Sequence, residues 1–324
     1  MGEPRRVTLD RRQFVTGALA SGLLVAGCTE EDFRLEPPQT GPDNRYEAML
    51  RQIEGKAGGT LGAAFFDTTT GELIGINTNR RFGHCSSFKF SLAAMVLASD
   101  ALGIVDADRR VTWTRDDLMF VSPFTTRRLD EGATLRELAE FTQKYSDNAA
   151  ANILLRTFGG PQALTAFWAG IGDEVSRLDR YEPELNNVPV TEYRDTTTPA
   201  AMARSVAQLT YGEVLREEDR ATLRQWAIDT PTGARRVRAG LPEGWLAGDK
   251  TGTSIWPGMR SLFVDIGFVE PPAEDAEGRG PITFATYYRA PETLDGMDPA
   301  AEAVLAEIGE VLADYATGED GLPF

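Results

Sequence analysis

His84-Cys85-Ser86-Ser87-Phe88-Lys89-Phe90-Ser91-Leu92-Ala93-Ala94-Met95-Val96-Leu97 is the stretch whose reading decides the rest. From Phe88 onward it is apolar nearly all round, which predicts a helix buried at the centre of the molecule rather than one lying on its surface. Ser86 and Lys89 are three apart at the start of that helix, so their side chains share a face. That end of a helix also offers free N–H groups and partial positive charge. Ser87 is two before Lys89 and is expected to point elsewhere. His84 is the only histidine in 324 residues, so a serine nucleophile here has almost no material for a Ser-His-Asp arrangement. Lys89 offers a different base. Lys56, Lys89, Lys144 and Lys250 are the four lysines of the chain, and two of them, Lys89 and Lys250, lie in recognisable chemical motifs. A Ser-x-x-Lys alone occurs often by chance, and its weight depends on the company it keeps.

Outward from this helix the chain alternates its periods. Residues 45–57 have helical spacing through Tyr46, Met49, Leu50 and Ile53. Residues 60–76 read as a hairpin, with strands at 61–66 and 72–76 about a turn at 67–71. Thr134-x-x-Glu137 is a capping-box start for a helix running to about Lys144. Helices follow at 147–157, closed by Gly159-Gly160, then at 161–170, 199–211 and 217–228. Between them lies an irregular stretch at about 178–198, a length that in a compact domain marks a functional or disordered loop. Strand character returns at 258–269 and 282–289, and 297–315 is a final amphipathic helix. The order predicts an α/β (α+β) fold: an antiparallel sheet built from both chain ends and flanked by helices, with a helical insertion between. The expected division is an α/β domain from 44–78 and 229–324, and an all-α domain from 79–228 carrying the loop at about 178–198.

An apolar content of 42% and a charged content of 25% are ordinary for a globular chain. The net charge of −16 repels phosphates and no basic patch stands out, so no nucleic-acid partner is expected. Residues 1–27 read as a signal peptide. Arg5, Arg6, Arg11 and Arg12 precede an apolar stretch from Phe14 to Gly27, too short to span a bilayer. Asp10-Arg11-Arg12-Gln13-Phe14-Val15 resembles a twin-arginine signal. Val25-Ala26-Gly27-Cys28 resembles a lipobox, which would place a lipid on Cys28 as the mature N-terminus; the alternative is a plain signal with a chance cysteine. Loss of four arginines against Glu3 and Asp10 takes the mature charge from −16 to −18. Residues 28–43 read as a polar, proline-bearing tether. With Cys28 lipidated, Cys85 has no partner for a disulfide and is read as a small buried apolar residue. One histidine and one spare cysteine make no credible zinc site. Neither metal nor cofactor is expected, and the chain is expected to be monomeric.

Three further motifs change the weight of Ser86-x-x-Lys89. Tyr145-Ser146-Asp147-Asn148 lies some way on, Lys250-Thr251-Gly252-Thr253 follows, and Arg180-Tyr181-Glu182-Pro183-Glu184-Leu185-Asn186 stands between them, closed by Asp195. In this order they closely resemble the class A serine β-lactamases, over roughly residues 44–320. The resemblance implies an antiparallel sheet domain plus an all-α domain with the site between them. It implies that Ser86 is the nucleophile and that Lys89 assists as a proton acceptor. Glu182 would activate the hydrolytic water, with Asn186 also holding it. Ser146 would relay a proton to the leaving nitrogen with Lys250 beside it, and Asn148 would bind the substrate's side-chain amide. The N–H groups of Ser86 and Thr253 are the implied oxyanion hole. Lys250, Thr251, Thr253 and Ser146 suit the substrate carboxylate, with Gly252 in the same strand.

Some positions stay open at this level. Lys89 and Glu182 both remain acylation bases. Arg236, fourteen residues before Lys250, and Arg260, ten after it, are alternatives for the carboxylate. Val121, preceded by Phe120, stands before Ser122-Pro123 where the family often has an aromatic, which puts that contact in doubt. Trp256 edges the cleft or merely packs. His84 is expected to be a structural hydrogen-bonder, Glu184 to be solvated, and Arg180 and Asp195 to brace the loop. Cys85 matches half of a cysteine pair found in some carbapenem-hydrolysing relatives, but Ser254 stands where the second is expected. The reading is hydrolysis of the β-lactam amide of penicillins and cephalosporins through a serine acyl-enzyme. The rivals are a peptidoglycan DD-peptidase, which would not need Glu182-x-x-x-Asn186, and a non-hydrolytic β-lactam sensor.

Overall fold

Apolar side chains on both faces of one sheet organise the chain. The computed structural model describes residues 45–273 and 279–318; the expectations for the signal peptide, Cys28 and the tether lie outside the described residues. From its start the chain forms α1 (Arg45–Ala57), β1 (Thr60–Asp67), β2 (Leu73–Ile76), the short β3 (Phe82–Gly83), a 3₁₀ turn at Cys85–Ser87 and α2 (Phe88–Ala101). Then come β4 (Arg110–Val111), α3 (Pro123–Arg127), β5 (Ala133–Thr134), α4 (Leu135–Tyr145), α5 (Asn148–Thr157) and α6 (Pro161–Gly170). After a long loop follow β6 (Thr196–Thr197), α7 (Pro199–Thr210), α8 (Glu217–Ile228), β7 (Leu246–Ser254), β8 (Leu262–Glu270), β9 (Ile282–Arg289) and α9 (Pro299–Thr317).

The main sheet has the order β2-β1-β9-β8-β7, and each neighbouring pair is antiparallel. Both ends of the chain therefore supply it, as the order of elements predicts. Side chains alternate between its faces. Leu61, Ala63 and Phe65 of β1 with Phe263 and Val269 of β8 pack under α1 and α9. Ala64 with Val264, Ile266 and Phe268 face the helices of the middle segment. A charge inserted at Val264 or Ile266 would enter a dry core, where burying an unpaired ion is among the costliest changes a fold meets.

Local signals set the helix ends. Thr134 Oγ1 accepts from the Glu137 N–H at 3.0 Å, and a Glu137 carboxylate oxygen accepts from the Thr134 N–H at 2.8 Å, closing the expected capping box. α2 is buried from Phe88 to Ser99, as an all-round apolar pattern requires. Two features depart from the sequence reading. The strand expected from 258 begins at Leu262, because Pro257-Gly258 forms a turn with Gly258 at φ 75°. The short helix α3 has no periodic signal of its own; buried Asp147 holds it by accepting from the N–H groups of Phe124 and Thr125 at 2.9 and 3.0 Å. α7 packs on β1, β8 and β9, with Thr283 Oγ1 donating to the Ala203 carbonyl at 2.9 Å. The helical segment and the sheet thus share one core.

Candidate active site

The 3₁₀ turn before α2 presents a single reachable hydroxyl. From Phe82 to Ser99 every residue is buried except Ser86. Ser87 turns inward, its Oγ donating to the His84 carbonyl at 2.8 Å. Cys85 adopts φ 48° and is a free buried thiol, pushed up to about 12 by burial, which agrees with the packing role read from the sequence. Of the two serines, Ser86 faces the cleft and Ser87 closes a turn.

Lys89, one turn further on, is surrounded by acceptors. Its Nζ donates to Ser86 Oγ at 2.8 Å and lies 3.2 Å from the Ser146 carbonyl and 3.3 Å from Ser146 Oγ. It makes a short bond to Asn148 Oδ1 and pairs with Glu182 Oε1 at 2.8 Å, both side chains fully buried. A buried ion pair of this kind is stable only when its remaining hydrogen-bonding groups are met. Here Glu182 Oε2 accepts from Asn186 Nδ2 at 2.6 Å, and Ser86 Oγ lies 3.4 Å from Glu182 Oε1. Ser86, Lys89, Ser146, Asn148, Glu182 and Asn186 thus form one connected cluster.

Ser146 occupies the left-handed region at φ 57°, an uncommon choice for a serine. The turn is held by Asp147, which accepts from Ala150 N at 2.8 Å as well as from α3. Asn148 N donates to the Val121 carbonyl at 2.9 Å and Asn148 Nδ2 to the Phe120 carbonyl at 3.1 Å. With its carbonyl oxygen on Lys89, Asn148 keeps one N–H for a ligand. Phe120, Val121 and Tyr145 are exposed beside this turn, forming an apolar rim.

The loop carrying Glu182 is braced from three sides. Arg180 Nε pairs with Asp195 Oδ2 at 2.5 Å, and Asp195 Oδ1 accepts from the N–H groups of Asp179 and Arg180 at 2.7 and 2.9 Å. Ser254 Oγ donates to the Asn186 carbonyl at 2.7 Å. Asn152 was missed by the sequence reading: its Oδ1 accepts from Glu182 N at 3.0 Å and its Nδ2 donates to the Glu182 carbonyl at 2.9 Å. The signal was available, since Asn148 and Asn152 are four apart and share a face of α5. Glu184, two after Glu182, is exposed, as expected. We expect Asn152→Ala to strand two buried main-chain groups, costing about 1–3 kcal/mol; thermal unfolding would check it.

The edge strand β7 closes the cleft. Gly252 leaves no room for a side chain: a Cβ there would lie 2.8 Å from the His84 carbonyl oxygen and 3.0 Å from Ser86 N. The strand can approach the turn at Cys85–Ser87 only because this residue is glycine. Lys250 is buried, and its Nζ donates to the Thr251 carbonyl at 2.8 Å. Burial first and the charge of Lys89 second hold its ammonium well below the usual lysine range, so an incoming carboxylate would be favoured as a counter-charge. Thr251 Oγ1 lies 2.7 Å from Thr232 Oγ1.

Arg236 is buried beneath β7. It donates to the carbonyls of Gly252 and Val264 at 2.9 and 2.6 Å and to Thr253 Oγ1 at 2.6 Å. Its guanidinium reaches the cleft through the Thr253 hydroxyl, whose own proton is left to donate outward. Arg260 is exposed on the turn after β7. Trp256 is half-buried on the same turn.

His84 differs from expectation. Its ring stacks on Trp168 with centroids 4.8 Å apart and planes at 5°, and neither ring nitrogen makes a well-formed hydrogen bond; carbonyls of Thr196 and Arg177 approach it and favour its protonation only weakly. The main chain does the linking, with His84 N donating to the Asp195 carbonyl at 3.0 Å. Burial lowers its pKa to about 4, outweighing nearby Asp173, while Arg81 reinforces the fall. An unfolded imidazole titrates near 6.5. Below that value the unfolded chain binds a proton that the folded one refuses. Stability present above about pH 6.5 should therefore fall as the pH drops towards 4, by about 3 kcal/mol, and level off below. Urea unfolding of wild type and His84→Phe between pH 7 and 4.5 should give a steeper decline for wild type; equal slopes would contradict it.

The chain matches the model of a β-lactamase enzyme family over residues 45–316. It is 45% identical over 217 residues to β-lactamase FAR-1 of Nocardia farcinica (strain IFM 10152), covering 67% of this chain and 69% of that one. It is 37% identical over 275 residues to a β-lactamase of Amycolatopsis lactamdurans, covering 85% and 86%. Among solved structures, it is similar to the class A β-lactamase of the last common ancestor of Gram-negative bacteria (GNCA4), with a TM-score of 0.77 and 43% identity over 84% of this chain and 99% of that one.

Proposed function

The chain belongs to the class A serine β-lactamase family, and from that membership we propose how its residues divide the work of hydrolysing a β-lactam and so conferring resistance. Ser86 attacks the lactam carbonyl. Its proton passes to Lys89, 2.8 Å away, after Lys89 has yielded one to Glu182 across their 2.8 Å pair; the two act as a unit rather than as rival bases. Lys89 then gives the proton through Ser146 Oγ to the lactam nitrogen as the C–N bond breaks, with Lys250 beside the relay. Glu182 returns its proton to Lys89. As a carboxylate it takes one from a water also held by Asn186, and that water opens the ester on Ser86. As the ester C–O bond breaks, Glu182 passes that proton to Ser86 Oγ, 3.4 Å away, so the serine hydroxyl and the carboxylate are both regained and the product leaves as a free acid.

The N–H groups of Ser86 and Thr253 receive the oxyanion, and each such donor typically contributes about 10²–10³ in rate. Lys250, Thr251, Thr253 and Ser146 hold the substrate carboxylate, with Gly252 allowing the close approach of their strand. Arg236 acts behind Thr253, since a hydroxyl that accepts from a guanidinium is a better donor. Asn148 binds the side-chain amide with its remaining N–H.

The observation that carries hydrolysis over acylation alone is Glu182, anchored by Asn186 Nδ2 at 2.6 Å and only 3.4 Å from Ser86 Oγ. A DD-peptidase or a sensor has no use for a carboxylate so placed. Counting product against enzyme with a chromogenic cephalosporin tests it: many turnovers per protein are expected, and one turnover would mean a sensor. We further infer a monomer, exported to the periplasm or cell envelope and held by lipid on Cys28. The arginine pair Arg11-Arg12 and the sequence Val25-Ala26-Gly27-Cys28 support this. No helix among the described residues is long and apolar enough to cross a membrane.

A further inference from the structure

β7 is the edge of the sheet, so alternate backbone groups face outward with no further strand to meet them. The carbonyls of Asp249 and Thr251 are two apart and both point this way. Lys250 Nζ takes the second. The first is taken by Gln143, whose Nε2 donates to the Asp249 carbonyl at 2.8 Å. The same Nε2 donates to Thr230 Oγ1 at 3.1 Å, and that hydroxyl donates to the Trp226 carbonyl at 2.8 Å. Gln143, Thr230 and Asp249 are all buried. Arg238 adds to the junction, pairing with Asp249 Oδ2 at 2.5 Å and donating to the Thr230 carbonyl.

The position of this amide in the chain gives it a role. Gln143 lies on α4, three residues before Ser146, and Asp249 is the neighbour of Lys250. One side chain therefore ties the helix that ends at the proton relay to the strand that carries the cationic and oxyanion groups. Burying an amide here is not the easy choice, because Gln143 Oε1 has no hydrogen-bond partner, and an apolar side chain would fill the same space without an orphaned acceptor. Among the described residues the side-chain hydrogen bonds of Gln143 go to Thr230 and Asp249, not to the loop that carries Glu182. That carboxylate is held by Asn186 and its main chain by Asn152.

We propose that Gln143 is a positioning residue for acylation: by covering the outward Asp249 carbonyl it fixes the height of β7 against α4, and with it Lys250 relative to Ser146 and Thr253 N–H relative to Ser86. This rests on the β-lactamase reading of those four residues. Displacements of about 1 Å in such an array can cost on the order of 10²-fold.

The test uses Gln143→Met, close in size but without a donor, and Thr230→Val, which removes the hydroxyl that orients the amide. Single-turnover acylation and the decay of preformed acyl-enzyme are measured separately with a chromogenic cephalosporin, below the melting temperature of each variant. Acylation should slow by about tenfold or more in Gln143→Met, and less in Thr230→Val, while deacylation stays within about twofold of wild type. Variants that melt earlier yet acylate at the wild-type rate would overturn the proposal and leave Gln143 a structural residue. Equal slowing of both steps would overturn it too, as general loosening. A wild type that is never acylated would instead remove the reading of the site on which the proposal stands.

Discussion

Glu182→Gln should acylate on Ser86 and then stall. The wild-type carboxylate faces two partners of opposite kind: Lys89 Nζ on Oε1 and Asn186 Nδ2 on Oε2. An amide can still accept from Lys89 through its oxygen. Its nitrogen would then confront Asn186 Nδ2, donor against donor, and it has no lone pair basic enough to take a proton from water. General-base assistance of this kind is typically worth about 10²–10⁴ in rate, so deacylation should slow by that order. Acylation should slow as well, since Lys89 loses the carboxylate that takes its proton, but by less, because Ser86 Oγ and Ser146 Oγ stay within reach of Lys89 Nζ. Steady-state turnover with a chromogenic cephalosporin would show a burst of one equivalent followed by a slow phase. A variant whose burst and steady rate both match wild type would place the water elsewhere.

Ser86→Ala should abolish covalent chemistry. Loss of a nucleophilic serine in a comparable acyl-transfer site costs about 10⁶ in kcat, and the geometry offers no substitute. Ser87, the hydroxyl next along the chain, is buried and donates to the His84 carbonyl. Ser87→Ala should accordingly retain turnover at the wild-type order of magnitude. Substrate affinity should survive in Ser86→Ala, since Lys250, Thr253 and Asn148 are untouched. Rapid-mixing kinetics together with equilibrium binding would check the pair, and a Ser86→Ala protein that still forms an ester would refute the assignment.

Much of this was legible because it is local. The capping box at Thr134 and Glu137, the all-round apolar run from Phe88 and the strand at 61–66 are each written within a few residues, and the structure realises them. The site motifs were legible for the same reason, Ser86 with Lys89 in one turn and Glu182 with Asn186 in another. Long-range contacts were not. Gln143 and Asp249 are 106 residues apart, and Asn152 is 30 residues from the Glu182 main chain it clamps. Asn152 shares a helix face with Asn148, but neither it nor Gln143 can be given its role until the fold supplies the backbone group that it meets. α3 hides for a related reason, because its hydrogen bonds go to a carboxylate more than twenty residues on. His84 shows the converse: a residue type that suggests chemistry turned out to be a flat ring stacked on Trp168.

Glu182 carries the claim that this fold hydrolyses rather than merely traps a β-lactam, and intact-mass spectrometry tests that most directly. Wild type and Glu182→Gln are mixed with excess cephalosporin and sampled over time, with the adduct mapped by digestion. The wild type should return to its unmodified mass as product accumulates beyond one equivalent, and Glu182→Gln should hold an adduct on the peptide containing Ser86. An adduct that persists on the wild type, or one that clears from Glu182→Gln as fast as from wild type, would contradict the account.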